Sequence, residues 1–189
     1  MTFLTRSLIV LMAAATVTAC QSRRISETTV YVEREVEAIY AAGVEQLDNR
    51  RWSDAADQFD EVERQHPYSE WARRAMLMAA YANYQAGNYD EAISDAERFI
   101  ALHPGNRSAP YAYYLVAISH YEQIIDVGRD QQATVNALNA LQQVVRRYPE
   151  SRYAQDARLK IDMTRDHLAG KEMSIGRWYL RRGFYLAAI

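Results

Sequence analysis

The residue types that carry out chemistry are scarce in this sequence of 189 residues, and their spacing forms no known catalytic pattern. Cys20 is the single cysteine, so neither an intramolecular disulfide nor a cysteine-based metal site can form within the chain. Two of the four histidines, His66 and His103, each stand before a proline, where a structural role is the simpler interpretation. The sequence has no HExxH motif, no glycine-rich phosphate loop and no G-x-S-x-G motif. We therefore predict no catalytic residue, no metal site and no cofactor. The remaining chemistry that the residue types suggest is covalent modification of Cys20.

Cys20 follows a segment with the features of a secretory signal. Arg6 precedes an apolar run over residues 8–15, which is too short to span a bilayer, and small residues stand directly before the cysteine. This stretch resembles the bacterial lipobox, in which cleavage leaves a cysteine that carries an S-linked diacylglycerol and an N-linked acyl chain. We predict a signal peptide over 1–19 and lipidation of Cys20, with an ordinary signal and a chance cysteine as the alternative. Gln21 in place of aspartate implies, by the same resemblance, sorting to the outer membrane.

The lipidated residue must be joined to a folded body, and the composition changes accordingly along the chain. Residues 20–34 are polar and β-branched without a helical stripe, so we predict a lipidated N-terminus and a flexible tether. Gly (7) and Pro (4) are scarce, which favours helices joined by short turns over residues 35–189. The folded domain is therefore predicted to be all-α.

The charge pattern excludes one class of partner. Lys+Arg number 22 against 24 Asp+Glu, a net charge of -2, and no long run of like charges occurs. Binding to a nucleic-acid backbone requires a basic surface. We therefore predict no nucleic-acid partner.

A sequence pattern recurs along the predicted domain at intervals of 37 residues. Trp52, Ala55 and Pro67 align with Tyr89, Ala92 and Pro104, and a third copy is visible after an insertion of eight residues. The pattern resembles the tetratricopeptide repeat, including the small residues Gly43, Ala80, Ala117 and Gly176 where paired helices would touch. It predicts a tetratricopeptide-repeat α-solenoid of antiparallel helix pairs. The expected copies cover about 35–67, 69–104 and 108–149, followed by an extra helix at 151–169 and an incomplete copy at 171–189.

Several segments resemble the BamD (ComL) family of outer-membrane lipoproteins in its alphaproteobacterial form. They include residues 59–75, with the junction Arg-Gln-His-Pro-Tyr-Ser-Glu-Trp, and residues 88–93, 98–105 and 165–172. The resemblance implies a non-enzymatic scaffold of the β-barrel assembly machinery, held at the periplasmic face of the outer membrane. Its implied partners are the POTRA domains of BamA, accessory Bam lipoproteins and unfolded β-barrel clients.

The same resemblance implies two sets of binding residues. A groove for a client peptide would involve Tyr68, Trp71, Arg73, Arg74 and Tyr84. Partner docking would involve Arg181 and Arg182.

Two points qualify this interpretation. The fourth repeat stops at Ile189, where family members continue, which predicts a C-terminally truncated chain. The alternative function is a periplasmic tetratricopeptide lipoprotein that acts as an adapter for peptidoglycan or cell-division enzymes.

Overall fold

The computed structural model describes residues 34–124 and 131–189. These residues are helical without any strand, which confirms the predicted all-α class. The predicted signal peptide, the lipidation of Cys20 and nearly all of the tether lie outside the described residues. The described helices are α1 (Val36–Asp48), α2 (Trp52–Gln65), α3 (Glu70–Ala86), α4 (Tyr89–Leu102), α5 (Ala109–Glu122), α6 (Gln132–Arg147) and α7 (Arg152–Arg181), and a 3₁₀ turn follows at Tyr185–Ala187.

The helices stack as two rows. Each helix packs against its neighbours in sequence, and α1, α3, α5 and α7 also contact one another in that order. In the described part of the chain, no Cα atoms of α2, α4 and α6 come within 8 Å of one another, so only side chains can bridge these helices. We name the first set the inner row and the second the outer row, because the more closely spaced row of a stacked solenoid forms its concave side. The architecture is the predicted solenoid of antiparallel helix pairs.

The outer-row helices α2, α4 and α6 end in the same backbone geometry. Their capping residues are His66 (φ -133, ψ 58), His103 (φ -133, ψ 54) and Tyr148 (φ -135, ψ 57). Each stands before a proline, and proline disfavours helical backbone in the residue that precedes it. The sequence pattern therefore identified correctly what ends these helices.

Gly43 lies where α1 crosses α2. A Cβ atom at this position would lie 2.7 Å from Cε1 of Phe59, whose side chain is fully buried. Ala80 and Ala117, at the equivalent places in the next two repeats, are also fully buried. Small residues thus allow the paired helices to approach closely, as the repeat pattern predicts.

A serine caps the N-terminus of α3. The Oγ atom of Ser69 accepts a hydrogen bond from the Ala72 backbone N–H at 3.0 Å, which satisfies a donor that the helix itself cannot. Replacing Ser69 with alanine should lower the free energy of unfolding by about 1 kcal/mol. Urea denaturation followed by circular dichroism measures this, with Ser94→Ala at an exposed mid-helix position as the control, which should be neutral or slightly stabilising. An equal loss in both variants would contradict the capping role.

Carboxylates cluster around Arg98 between the outer-row helices α2 and α4. Arg98 forms ion pairs with Glu63 at 2.7 Å and with Asp95 at 3.1 Å. Burial, then the nearby Asp95 carboxylate, raise the pKa of Asp60 to about 6. Because the folded state then binds the Asp60 proton more tightly than the unfolded state, ionised Asp60 destabilises the fold above this pKa.

Asp60→Asn should therefore stabilise the protein at pH 7.5 and lose its advantage as the pH falls through 6 toward 4. We expect less than about 1 kcal/mol, because the side chain remains accessible to solvent. Thermal melts of the native chain and the variant across this pH range measure the difference. A gap that stays constant with pH would show that Asp60 titrates normally.

The chain between residues 151 and 181 differs from the prediction. An extra helix over 151–169 and a separate first helix of the copy at 171–189 were expected, but α7 is one continuous helix of 30 residues. The predicted break near residue 170 is wrong, because no proline occurs there and Gly170 alone costs only about 1 kcal/mol in a helix. Despite this length, no described helix combines the extent and apolar character needed to cross a membrane.

Candidate functional site

A cleft of about 540 Å³ opens between the inner-row helices α1, α3 and α5. The residues that line it come from α1, α3, α4 and α5, and from the segment that joins α4 to α5. They are Tyr40, Glu70, Arg73, Arg74, Leu77, Met78, Phe99, Asn106, Arg107, Ser108 and Tyr111.

Repeat geometry explains why these side chains converge. Tyr40 and Leu77 occupy equivalent positions 37 residues apart, and so do Arg74 and Tyr111. Residues at equivalent positions of stacked repeats face the same side of the solenoid. Successive repeats therefore contribute to one continuous wall.

Three arginines give the cleft an excess of positive charge. Arg73 pairs with Glu70 at 2.9 Å, whereas Arg107 makes no side-chain hydrogen bond or ion pair with any described residue. The guanidinium of Arg74 lies 5.2 Å from the centre of the Trp71 ring, a cation–π arrangement that fixes its direction. Guanidinium groups in this setting can bind a carboxylate in bidentate fashion or donate to backbone carbonyls.

The floor of the cleft is apolar. Phe99 is almost fully buried, and its ring packs 5.5 Å from the ring of His103. Leu77 and Met78 line the cleft from α3 and pack against the neighbouring core clusters. An apolar floor beside cationic groups suits a ligand that is itself apolar on one side and carries acceptor groups on the other.

Of the five residues predicted for the groove, only Arg73 and Arg74 line this cleft. Trp71 belongs to the core beneath α1, with its ring 4.8 Å from that of Tyr40 and its Nε1–H donating to Glu37 at 3.1 Å. Trp71 therefore supports Arg74 from outside the cleft. Tyr68 lies in the turn between α2 and α3 and is completely exposed.

Tyr84 lies in an adjacent cluster of tyrosines that packs α3, α5 and α7 together. Burial, then the Glu122 carboxylate, raise the pKa of Tyr84 to about 12. In the same cluster, the Tyr114 hydroxyl donates to Asp156 of α7 at 2.5 Å, and Tyr114 packs 5.2 Å from Tyr153. Tyr84 thus borders the site through its neighbours and does not line it.

Tyr40, Arg107 and Tyr111 line the cleft but were not predicted as groove residues. The 37-residue spacing could have found Tyr111, because it is the repeat equivalent of the predicted Arg74, whereas Tyr40 is equivalent to Leu77, which was not predicted. Arg107 lies in the turn before α5, where no pattern in the sequence indicates the direction of its side chain.

The two arginines predicted for partner docking lie at the end of α7. Arg181 and Arg182 are both exposed, and the guanidinium of Arg182 stacks 4.1 Å above the Trp178 ring. Cations at this position also interact favourably with the helix dipole. The neighbourhood is rich in exposed apolar side chains, including Phe184 and Leu186.

The described residues hold no group of three His, Cys, Asp or Glu side chains arranged to bind a metal ion. The two histidines before prolines have local partners. His66 Nε2 hydrogen-bonds to the Arg34 carbonyl at 2.7 Å, and His103 packs on Phe99. These contacts agree with the structural role predicted for both.

The fold defines a helical-repeat protein with a cleft on its inner row, and its sequence places it in a family. The chain belongs to the YfiO family of outer membrane lipoproteins, which it matches over residues 32–189. It is 59% identical over 178 residues to the outer membrane protein assembly factor BamD of Caulobacter vibrioides. It is 41% identical over 170 residues to the protein of the same name from Rickettsia prowazekii, and 31% identical over 182 residues to that of Neisseria gonorrhoeae.

These alignments cover 94%, 90% and 90% of this chain. They cover 58%, 66% and 68% of the respective relatives. The chain thus spans about three-fifths of the length of the Caulobacter protein.

Proposed function

We propose that this chain is a non-catalytic scaffold subunit of the machinery that inserts and folds β-barrel proteins in the outer membrane. The observation that carries the proposal is the 59% identity to an outer membrane protein assembly factor across 94% of the chain. The inner-row cleft supports it, because its charge and apolar floor suit the binding of a polypeptide segment.

The proposed ligand of the cleft is the C-terminal strand of an unfolded β-barrel client. An extended strand presents alternate side chains to opposite faces, so one face can contact the apolar floor around Leu77 and Phe99. Arg73, Arg74 and Arg107 then bind the terminal carboxylate or backbone carbonyls of the strand.

The proposed location is the periplasmic face of the outer membrane. Cys20 carries S-linked diacylglycerol and an N-linked acyl chain, and three chains at about 0.8 kcal/mol per buried CH₂ are sufficient for stable anchoring. Docking on the POTRA domains of BamA and on accessory Bam lipoproteins uses the exposed end of α7, with Arg181 and Arg182.

Affinity purification tests this proposal. The chain, tagged at its C-terminus and expressed with its own signal in an alphaproteobacterial host, should be recovered from the outer-membrane fraction together with a POTRA-bearing barrel protein. Cys20→Ser should leave the membrane fraction, since it cannot be acylated. Recovery of peptidoglycan or cell-division enzymes in place of the barrel protein would favour the adapter function and overturn the proposal.

A further inference from the structure

Two adjoining clefts on the outer side of α6 form a surface that the proposed function does not use. The first, of about 440 Å³, lies between α4 and α6 above α5 and is lined by Glu97, His120 and a set of α6 side chains. The second, of about 520 Å³, lies between α6 and α7. Gln142 and Arg146 line both, so the two clefts are continuous across α6, and we name them together the outer groove.

Side-chain amides dominate the first half of the outer groove. Asn136, Asn139 and Gln143 are spaced three and four residues apart, which places them along one face of α6. Asn139 and Gln143 make no side-chain hydrogen bond with any described residue. Each amide offers donors and an acceptor together, the same combination that a peptide group needs in a partner.

Arginines dominate the second half. Arg146, Arg158 and Arg165 line it together with a single acidic residue, Asp162. Arg165 lies 3.7 Å from Asp162 in an exposed pair, and Arg158 donates to the Pro149 carbonyl at 3.0 Å. Arg146 makes no side-chain hydrogen bond or ion pair with the described residues, so this half carries an excess of positive charge.

We propose that the outer groove binds an extended acidic segment of a partner polypeptide. Its main chain pairs with the amides of α6, and its carboxylates pair with Arg146, Arg158 and Arg165. An anionic lipid surface would use the arginines alone and leave the amides without a role, which is why a peptide fits better. Neighbouring helix axes lie about 9 Å apart, so a peptide that crosses two such intervals needs roughly five to six extended residues.

Fluorescence anisotropy tests the proposal on the purified lipidated chain in mild detergent. The probe is a labelled eight-residue peptide of alternating Glu and Thr, and its partner peptide has Gln in place of each Glu. We expect saturable binding of the Glu peptide that is about tenfold tighter than that of the Gln peptide and that weakens as salt is raised. Equal binding of the two peptides, or no binding of either, would overturn the proposal.

Matched variants locate the binding. Arg146→Glu/Arg165→Glu should weaken binding of the Glu peptide about tenfold or more. Arg51→Glu/Arg177→Glu makes the same change in net charge at two exposed arginines outside both clefts and should leave the affinity within about twofold. The Asn139→Ala/Gln143→Ala variant should bind both peptides about threefold more weakly, because it loses the side-chain amides that contact the main chain of the peptide. Circular dichroism verifies that each variant is folded.

Two further outcomes separate this proposal from its competitors. The Arg73→Glu/Arg74→Glu variant should bind the Glu peptide with the affinity of the native chain. Binding to the outer groove is thus tested separately from client binding to the inner cleft. Phosphatidylglycerol vesicles provide the other comparison. If vesicles compete for the outer groove and the Asn139→Ala/Gln143→Ala variant binds both peptides normally, the surface is a lipid-binding patch and the peptide proposal is wrong.

Discussion

Reversing the charge of two cleft residues, Arg73→Glu/Arg74→Glu, should weaken binding of a client peptide about a hundredfold. Each arginine can contribute a charge-assisted hydrogen bond of about 1.5–3 kcal/mol, and the introduced glutamates would repel a terminal carboxylate. The measurement is fluorescence anisotropy with a labelled peptide that contains the last ten residues of an outer-membrane β-barrel protein. The native chain and the variant are compared at the same low ionic strength, because salt weakens such contacts.

Two controls make this result specific. If the arginines bind the terminal carboxylate, the same peptide with a C-terminal amide should bind the native chain more weakly than the free acid does. The double substitution should then reduce the affinity for the amidated peptide by a smaller factor than the affinity for the free acid. Arg51→Glu/Arg177→Glu should bind the peptide normally. An unchanged affinity in Arg73→Glu/Arg74→Glu would exclude the cleft as the client site and leave the family membership untouched.

Replacing Gly43 with leucine should destabilise the fold by more than about 3 kcal/mol or prevent folding at 37 °C. Even the first added carbon would lie 2.7 Å from Phe59 Cε1, and Phe59 is fully buried among core side chains, so it cannot turn toward solvent to make room. Helices α1 and α2 must then separate. Chemical denaturation of the variant against the native chain measures the loss.

A smaller substitution keeps this prediction testable if the leucine variant does not fold. Gly43→Ala gains about 1 kcal/mol of helix propensity but still clashes, so a net loss of stability is expected. Adding Phe59→Leu should recover part of that loss, which a double-mutant cycle detects. Gly105→Ala is the control, since a Cβ atom at that position would have nothing within 4 Å. If the changes in the free energy of unfolding caused by the substitutions at residues 43 and 59 simply add, the proposed contact is contradicted.

The sequence was most informative where a single residue type has one physical consequence. The prolines that follow His66, His103 and Tyr148 determine where α2, α4 and α6 end. The three capping residues have nearly the same backbone dihedral angles in the structure. Gly170 has no such single consequence, because a helix tolerates an isolated glycine. Helix α7 continues past Gly170 because no proline or other strong helix-terminating residue occurs there. A prediction from the repeat length alone does not take this into account.

The candidate site was harder to predict because aromatic residues look alike in a sequence whether they pack or bind. Trp71 and Tyr84 were expected in the groove, yet both pack against neighbouring helices with their polar atoms directed to carboxylates. Arg73 and Arg74 do line the cleft. Their ligands remain a prediction, as does the docking role of Arg181 and Arg182.

The length of α7 has a mechanical consequence. Its buried residues, Ala154, Ala157, Ile161 and Thr164, all lie in its first half, and no residue beyond them in the helix is buried. A helix of this size is a stiff rod of about 45 Å, so a force applied near Arg181 acts on the packed half with a long lever arm. The hydrogen bond between Tyr114 and Asp156 lies in the packed half of α7, next to the tyrosines that border the inner cleft. The half of α7 beyond Thr164 therefore extends past the packed body as a long arm, and any partner held there would be kept at a distance from the inner cleft that the helix length sets.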